Sequence, residues 1–417
     1  MTVFLPLRPW MADRATHAVM TALATIGGEG AARFVGGCVR DALLGRDAPD
    51  PDLDIATRLT PDEVVHGLAA QGLRVEPTGI EHGTVTAIAF GRPFEITTLR
   101  KDVETDGRRA VVAFTSDWAE DAARRDFTMN ALYADADGRV HDPTGQGVDD
   151  ALAGRVIFVG DPDTRIEEDY LRILRFFRFL AHYAKGAPDP AAVAACARHA
   201  DQIGRLSAER IAKEVLKLLA ARDPRSAIDL MSRTGVMSKI AVQLVNAHRF
   251  RRMVEIELEL GRLSDPELRL AALGPSEPTG ALALAKRLKL SNALRDRLVA
   301  ACSGPSDFAA GMSEPAVRRA VWTLGASACR DQLLLAWAEA ATPSSTSEWR
   351  RHLELIDSWT PPSFPISGGD ILSMGVEEGP RVGRVRKAFE HWWLDQDFPQ
   401  DRQAALDRLR RISADIS

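Results

Sequence analysis

The chain has 417 residues, which is enough for roughly two to four domains. It carries 53 lysine and arginine residues against 58 aspartate and glutamate residues, a net charge of −5, and 45% of its residues are hydrophobic. This balance excludes a disordered chain and a uniformly basic nucleic-acid coat, so a polyanion has to bind on a local patch. The four cysteines stand singly, and no apolar run reaches about 18 residues. We therefore expect a cytoplasmic protein without a disulfide framework, a CxxC metal site or a membrane partner.

The first third of the sequence predicts a mixed α/β domain. The Thr60-Pro61-Asp62-Glu63 segment predicts a capped helix start, and the apolar alternation on both sides of Gly91-Arg92 predicts a hairpin. Residues 101–109 are charged and contain glycine, so we expect a mobile loop there. The predicted elements in chain order are a strand at 33–35, a helix at 39–44, a strand at 53–57, a helix from 61 to about 71, strands at 84–90 and 93–99, and strands at 131–135 and 139–141.

After about residue 150 the pattern becomes helical. The apolar spacing predicts helices over 167–183, 207–221, 224–234, 281–302, 314–324 and 330–341. The proline-rich segment 359–369 is predicted to be a linker into a final helical piece. We therefore expect an α+β N-terminal head with a mixed sheet, followed by an elongated all-α neck, body and tail. The expected domains are 1–150, 151–222, 223–305 and 306–417.

A glycine turn and a pair of aspartates carry the first chemical signal. Gly36-Gly37, between a strand and a helix, lets backbone N–H groups approach a phosphate closely, and Arg40 adds a guanidinium. The alternative is a turn in which the glycines serve geometry only. Asp52 and Asp54 are two residues apart on a predicted strand, so their carboxylates project from one face and their repulsion favours a bound cation such as Mg²⁺. A solvated acidic turn is the alternative interpretation.

Glu95 lies on a predicted neighbouring strand and is a candidate third carboxylate for the metal. The alternative is that it serves as a cross-strand charge partner on a half-exposed face.

The pattern Gly36-Gly37-x-Val39-Arg40-Asp41, followed by Asp52-x-Asp54, resembles a known signature. It is that of the DNA polymerase β superfamily of nucleotidyltransferases, in its class II branch of CCA-adding tRNA nucleotidyltransferases and bacterial poly(A) polymerases. Four further segments resemble that family's motifs in the same order: the second motif at 124–132, the hinge at 142–145, the nucleotide-template helix at 168–179 and the last motif at 207–214. A weaker resemblance to the C-terminal element lies within 369–410.

This resemblance implies an enzyme that adds CCA to the 3′ end of tRNA from CTP and ATP. The 3′-hydroxyl would attack the α-phosphate and release pyrophosphate, with two Mg²⁺ ions held by Asp52 and Asp54. Arg125 and Asp126 would reach the ribose and phosphates. No protein partner is implied. The implied nucleotide-binding residues are Gly36, Gly37, Arg40, Arg125, Asp126, Asp169, Arg172, Arg175 and Arg178. The implied supporting residues are Asn130, which would fix the local backbone, Glu168, and Glu209 and Arg210, expected as buried residues that orient the template helix.

Within the template helix, Asp169 and Arg172 are three residues apart and would share one face, which Arg175 and Arg178 continue. Cytosine and adenine both present an amino donor beside a ring acceptor, so one carboxylate and one guanidinium satisfy either base. Uracil and guanine would place a carbonyl against Asp169, and each mismatched polar group costs about 1–3 kcal/mol. A side-chain pair could therefore select CTP and ATP without a nucleic-acid template. The alternative is a surface helix with a weak Glu168–Arg172 salt bridge.

Three other functions stay open from the sequence. A bacterial poly(A) polymerase would carry a basic Gly-Arg-Arg-Phe-Arg-like segment where this chain has residues 81–86. An enzyme that adds only C or only A would differ in loops such as 101–109. A non-catalytic RNA-binding protein with this fold would have no reason to keep the aspartate pair.

The helical part is expected to hold the tRNA acceptor arm by shape and phosphate charge. The candidate RNA-binding residues, each of which could equally be an ordinary solvated charge, are Lys213, Lys217, Arg249, Arg251 and Arg252.

Overall fold

The computed structural model describes residues 3–46, 48, 50–77, 79–105, 110–303, 308–340 and 346–416. The chain divides into two compact units. Unit 1 comprises Met1–Leu244 with the short segments Leu263–Pro266 and Arg287–Lys289, and unit 2 comprises Val245–Arg262, Glu267–Lys286 and Leu290–Ser417. The division into four domains stays a prediction.

A mixed sheet forms the first part of unit 1. The described residues form nine strands: β1 Ala32–Val35, β2 Asp54–Thr57, β3 Arg74–Glu76, β4 Thr84–Ala89, β5 Arg92–Thr98, β6 Arg100–Thr105, β7 Ala110–Phe114, β8 Tyr133–Ala134 and β9 Val140–His141. Seven of them build one sheet in the order β3-β4-β5-β2-β1-β8-β9, while β6 and β7 form a separate hairpin. Strand β2 runs parallel to β5, and the other neighbouring pairs of the sheet are antiparallel. The predicted mixed α+β head is confirmed.

Helices cover the sheet and make up the rest of unit 1. They are α1 Pro9–Ala12, α2 Arg14–Gly27, α3 Gly37–Leu44, α4 Pro61–Ala70, α5 Trp118–Ala123, α6 Gly147–Ala153, α7 Pro162–Glu168, α8 Leu171–Tyr183, α9 Pro190–Arg198, α10 Ala208–Leu219, α11 Arg225–Arg233 and α12 Val236–Ile240. Short 3₁₀ turns lie at Ile80–His82, Thr128–Asn130 and Ala200–Arg205.

The helices after residue 245 are α13 Ala247–Glu259, α14 Pro266–Leu273, α15 Pro278–Arg287, α16 Asn292–Cys302, α17 Glu314–Leu324, α18 Ala326–Glu339, α19 Thr346–Ser358, α20 Gly368–Ser373, α21 Pro380–Asp395 and α22 Arg402–Asp415. Unit 2 has an aromatic core at its C-terminal end, where Phe389, Trp393 and Phe398 are buried together. Among the described residues, no helix is both long enough and apolar enough to cross a membrane.

Local sequence signals explain several element ends. The Thr60 hydroxyl accepts a hydrogen bond from the Glu63 backbone N–H, and the Glu63 carboxylate accepts one from Thr60, so the capping box starts α4 as predicted. Gly45 ends α3 because its left-handed backbone, with φ of 66°, is unfavourable for other residues.

Three predicted elements are wrong in part. Residues 101–105 belong to β6 and not to a loop, and residues 106–109 of the expected loop lie outside the described residues. Antiparallel strands can face water on one side, so a charged sequence is compatible with a strand. The predicted helix 281–302 is two helices, separated where Lys289 adopts a φ of 47°.

The third error concerns the predicted helix 167–183. Helix α7 ends at Glu168 and α8 begins at Leu171, because Asp169 has an extended backbone with φ of −152°. The Asp169 side chain accepts a hydrogen bond from Leu171 N at 3.1 Å, and its backbone carbonyl accepts one from Arg172 N. A short polar side chain that bonds the next backbone N–H groups competes with helix continuation.

Candidate active site

One cleft in unit 1 brings most of the predicted site residues together. It has a volume of about 650 Å³ and is formed by the turn before α3, the start of β2, the segment after α5, the second half of α8 and the end of α10. Its walls contain Gly36, Gly37, Arg40, Asp41, Asp52, Asp54, Arg125, Asp126, Asn130, Arg175, Arg178, Phe179, His182, Tyr183, Lys217 and Ala220. Glycines, carboxylates and arginines that are far apart in sequence therefore share one cleft.

The two aspartates lie side by side on the cleft wall. Asp52 and Asp54 are both exposed, while Leu53 between them is buried in the core. The pKa of Asp54 is raised, first because the surrounding protein removes water from its carboxylate and then because Glu95 and Asp52 bring like charge close to it; Arg125 opposes this shift. A divalent cation would relieve this repulsion, and an all-oxygen donor pair fits Mg²⁺.

Glu95 lies beside Asp54 but outside the cleft wall. It is directly opposite Asp54 on the parallel strand β5 and acts on it electrostatically, but it is not part of the cleft wall. Across the ranges that the structure describes, no group of three or more His, Cys, Asp or Glu side chains is arranged to hold a metal ion. Glu95 is thus a charged neighbour of Asp54, and its role as a third metal ligand stays a prediction.

The glycine turn leaves room beside a guanidinium. Gly36 has a φ of 73°, and a Cβ on it would lie 3.6 Å from Nη1 of Arg125. Arg40 is buried. It donates hydrogen bonds to Asp41 at 2.8 and 2.9 Å and to the Tyr183 hydroxyl at 2.6 Å. These bonds connect α3 to α8 and occupy most of the Arg40 donors, so its predicted phosphate contact stays a prediction.

Asp126 is at the centre of a buried network. One of its oxygens accepts hydrogen bonds from Nε and Nη2 of Arg175, the former at 2.7 Å, and the other accepts from Asn130 Nδ2 at 3.0 Å. Burial alone would raise the pKa of Asp126, but Arg175 and the hydrogen bonds of Asn130 lower it. Asn130 also accepts a hydrogen bond from Arg40, so it fixes side chains of the cleft as well as the local backbone. Arg175 is thereby fixed at the cleft wall.

Asp121 is a buried residue that the sequence reasoning missed. It lies on α5 and is 1% exposed. One oxygen accepts from Arg124 Nε at 2.8 Å, and the other accepts from Arg125 Nη2 at 2.9 Å and from the Tyr133 hydroxyl at 2.7 Å. Burial alone would raise its pKa, but Arg125, Arg124 and Tyr133 together lower it to about 2. Its spacing of three and four residues from the two arginines was the signal that could have identified it.

This low pKa predicts acid-sensitive stability. The pKa of Asp121 falls from 3.8 to about 2 on folding, so the charged carboxylate stabilises the fold fully above about pH 4 and loses this contribution as the pH falls toward 2. The gap in unfolding free energy between the wild type and Asp121→Asn should shrink by about 2 kcal/mol between pH 6 and pH 2. Urea unfolding at several pH values measures it, and a gap independent of pH would contradict the prediction.

Asp169 and Arg172 do not share a helix face, so that prediction is wrong. Asp169 precedes α8 and accepts a hydrogen bond from Arg210 Nη2 at 2.7 Å. Arg172 donates to Glu168 at 2.5 Å and to the backbone carbonyl of Arg124 at 2.8 Å. Neither residue is part of the cleft wall. Burial alone would lower the pKa of Arg175, but Asp126 raises it, with smaller contributions from Glu214 and Asp169. Asp169 is therefore near the cleft, whereas Arg172 connects α8 to the segment after α5.

Two more cationic side chains line the cleft, Arg178 of α8 and Lys217 of α10. Arg178 lies 3.1 Å from Glu214, and burial lowers its pKa. Lys217 was predicted to bind RNA, and the structure places it in the cleft wall. Its backbone carbonyl accepts a hydrogen bond from His182 Nε2 at 2.8 Å. This wall therefore offers positive charge to an anionic ligand.

Two predicted supporting or RNA-binding roles are wrong. Glu209 was expected to be buried, but it is exposed and accepts a hydrogen bond from Lys289 at 2.9 Å. Arg210 was also expected to be buried; it is half-exposed, but it does contact Asp169 before α8. Arg249 was expected to face RNA, but it is 3% exposed and donates to several backbone carbonyls. These carbonyls include that of Ala272, at 2.9 Å from Nε, and that of Gly274, at 2.7 Å from Nη2. A guanidinium on a helix is thus used to satisfy carbonyl groups of a neighbouring segment.

The remaining RNA-binding candidates differ in exposure. Arg252 donates to Glu255 at 2.5 Å, while Arg251 and Lys213 are exposed. Their contact with RNA stays a prediction.

Arg249→Ala should destabilise the protein without a specific loss of RNA affinity. Leaving the carbonyls of 271–275 unpaired in the interior should cost about 3 kcal/mol. Thermal unfolding measures this loss, and a tRNA filter-binding assay on the folded fraction should give an unchanged affinity. Exposed Glu259→Ala, on the same helix, is the control and should change stability by less than about 0.5 kcal/mol. A stable Arg249→Ala protein with weakened tRNA binding would restore the original interpretation.

Comparison with family models divides the chain into two recognisable segments. Residues 32–157 match the poly(A) polymerase head domain, and residues 187–245 match the domain described as a probable RNA and SrmB-binding site of polymerase A. The first segment contains the sheet and all the acidic residues of the cleft.

Relatives of known activity match almost the whole chain. The mitochondrial CCA tRNA nucleotidyltransferase 1 of Danio rerio is 31% identical over 388 residues, covering 90% of this chain and 86% of that protein. The CCA-adding enzyme of Levilactobacillus brevis is 31% identical over 390 residues, covering 90% of this chain and 92% of that protein. The crystal structure of the Bacillus stearothermophilus CCA-adding enzyme in complex with CTP shares the fold, with a TM-score of 0.73 at 24% identity over 98% of this chain and 100% of that one.

Proposed function

The chain belongs to the family of CCA-adding tRNA nucleotidyltransferases, and from this premise we propose that it adds CCA to the 3′ end of tRNA from CTP and ATP. The observation that carries the proposal is the aspartate pair, Asp52 and Asp54, in one cleft with the glycine turn and several arginines. A carboxylate pair that repels itself is unfavourable for a purely structural cleft, and a divalent cation with a triphosphate would offset it. A cytoplasmic location is proposed on the sequence alone.

The proposed reaction is attack of the tRNA 3′-hydroxyl on the α-phosphate, which releases pyrophosphate. Asp52 and Asp54 would hold Mg²⁺, which when bound lowers the pKa of the hydroxyl and neutralises the triphosphate. Arg125 and Arg175 add positive charge to the wall, and both are held rigidly by buried carboxylates. Rigid donors cost little reorganisation when phosphate charge develops, so they stabilise the transition state efficiently.

Base choice is proposed to depend chiefly on Asp169. Arg210 fixes its carboxylate, and its charge reaches Arg175 in the cleft wall. Arg172 is proposed as the partner donor, although in this structure its donors are used by Glu168 and by the carbonyl of Arg124.

A single extension assay separates this function from its alternatives. A tRNA transcript that ends before CCA is incubated with Mg²⁺ and with CTP, ATP or both, and the product mass is measured. We expect two cytidines with CTP alone, no addition with ATP alone, and CCA with both nucleotides. A tRNA ending in CC should accept one adenosine from ATP.

Each of the other possible results of this assay would indicate a different function. A long adenosine tract would indicate a poly(A) polymerase, and addition restricted to C or to A would indicate a split activity. Binding of tRNA without any extension would indicate an RNA-binding protein, and any of these results would overturn the proposal.

A further inference from the structure

Arg125 is held along one whole edge by two buried residues. Asp121 accepts from its Nη2 at 2.9 Å and from its Nε at 3.3 Å, and the Tyr133 hydroxyl is 3.2 Å from the same Nε. Tyr133 also donates to Asp121 at 2.7 Å. Asp121 therefore fixes the guanidinium plane through Nη2 and Nε, and the Tyr133 hydroxyl adds a second contact at Nε.

The opposite edge of this guanidinium faces the glycine turn. Within the described part of the chain, Nη1 of Arg125 has no hydrogen-bond partner, and it lies 3.6 Å from where a Cβ on Gly36 would be. Arg125 lines the same cleft as Asp52 and Asp54. Two N–H groups are thus available at the point where the glycine turn allows a ligand to come close.

The cluster of Asp121, Arg124 and Arg125 contains two positive charges and one negative charge. Arg124 already donates to Asp121 at 2.8 Å, so one carboxylate is paired with two guanidinium groups. The cluster keeps one excess positive charge, and of its two arginines Arg125 is the one that lines the cleft. An anion in the cleft is the natural complement of this excess charge.

Tyr133 provides the rigid support of the arrangement. It is fully buried on β8, and its ring packs edge-on against Trp118 at a centroid distance of 5.1 Å. Trp118 is the first residue of α5, which also carries Asp121. The two residues that hold Arg125 are therefore held by the same local core.

We propose that Asp121 and Tyr133 are positioning residues that fix Arg125 so that its Nη1 binds the triphosphate of the incoming nucleotide. The inference rests on the proposed function, because that function supplies the triphosphate. Without the two partners, the arginine side chain would be free to adopt other rotamers, and ligand binding would have to order it.

The test compares binding of CTP with binding of CMP to the full-length protein with Mg²⁺ and without tRNA. Asp121→Asn should weaken CTP binding about tenfold, and Tyr133→Phe about threefold, whereas CMP binding should change less than about twofold. CMP lacks the β- and γ-phosphates, so a general distortion of the cleft would weaken both ligands alike.

Asp150→Asn is the matched control. Asp150 is also buried in unit 1, where it accepts from Thr128 Oγ1 at 2.6 Å and from Arg155 Nε at 2.8 Å, but it does not line the cleft. Its substitution should leave the ratio of CTP to CMP affinity unchanged.

A double substitution tests whether Asp121 acts through Arg125. In an Arg125→Ala background, Asp121→Asn should weaken CTP binding by less than about a further twofold. An undiminished tenfold loss in that background, or equal losses for CTP and CMP, would overturn the inference.

If the Asp121→Asn variant does not fold, the Tyr133→Phe variant provides the test, because this substitution removes one hydroxyl and keeps the ring against Trp118. A wild-type protein that binds CTP but does not extend tRNA would overturn the proposed function and leave this test intact.

Discussion

Asp54→Asn is expected to abolish nucleotide addition while the fold stays intact. Removing one of two carboxylates from a metal-binding pair should cost several kcal/mol of transition-state stabilisation, a loss of at least about a thousandfold in rate. Asparagine has nearly the same shape, and it removes a charge that Asp52 and Glu95 repel. The thermal midpoint of the variant without ligand should therefore be equal to or higher than that of the wild type.

Rates of CTP incorporation into tRNA, measured over a range of Mg²⁺ concentrations, check this expectation. Asp50→Asn is the matched control, because Asp50 lies in the same segment, is exposed and pairs with Arg92 at 2.7 Å outside the cleft. Substantial turnover of Asp54→Asn with an ordinary Mg²⁺ dependence would refute the assignment of this carboxylate.

Asp169→Ala is expected to relax base choice. A site that pairs its polar groups with cytosine and adenine should reject uracil and guanine by a factor of about 10⁴, and removing the carboxylate should remove most of that factor. Incorporation of UTP and GTP should rise relative to CTP, while CTP incorporation itself falls. Competition assays with paired nucleotides measure the ratio directly.

Glu167→Ala serves as the control for this substitution. Glu167 is an exposed carboxylate at the end of α7, where it lies 3.9 Å from Nε2 of His199. The Glu167→Ala substitution should leave the preference among the four nucleotides unchanged. If Asp169→Ala slows all four nucleotides equally, then Asp169 supports the fold of α8 and does not select the base.

The parts of the fold that follow from local sequence could be predicted. The Thr60–Glu63 capping box and the left-handed Gly45 both act over a few residues, so their effect is visible in the sequence. The exposure of Asp52 and Asp54 beside buried Leu53 matches the predicted alternation, although β2 begins only at Asp54.

Hydrogen-bond partners that are far apart in the sequence could not be predicted. Arg172 donates to the carbonyl of Arg124, 48 residues away, and Arg249 to that of Gly274, 25 residues away. Both arginines looked available for ligands in the sequence. Whether a guanidinium faces a ligand or a buried carbonyl depends on which backbone segment packs against it, and periodicity carries no information about that.

The helix break at Asp169 shows the same limit on a local scale. The apolar spacing of residues 167–183 continues across the break, so it indicates one helix. The Asp169 carboxylate instead bonds both Leu171 N and Arg210, and the Arg210 contact comes from α10, 41 residues later. A local bond and a tertiary bond therefore together hold the carboxylate, and the apolar spacing shows neither of them.

The most direct test of the central claim is anomalous diffraction from crystals soaked with Mn²⁺ and a non-hydrolysable CTP analogue. Manganese replaces magnesium at oxygen ligands and can be located without assumptions about the nucleotide. We predict anomalous peaks at the carboxylates of Asp52 and Asp54, next to the phosphates of the analogue. A bound analogue with manganese elsewhere, or with no manganese peak at these two residues, would contradict the account.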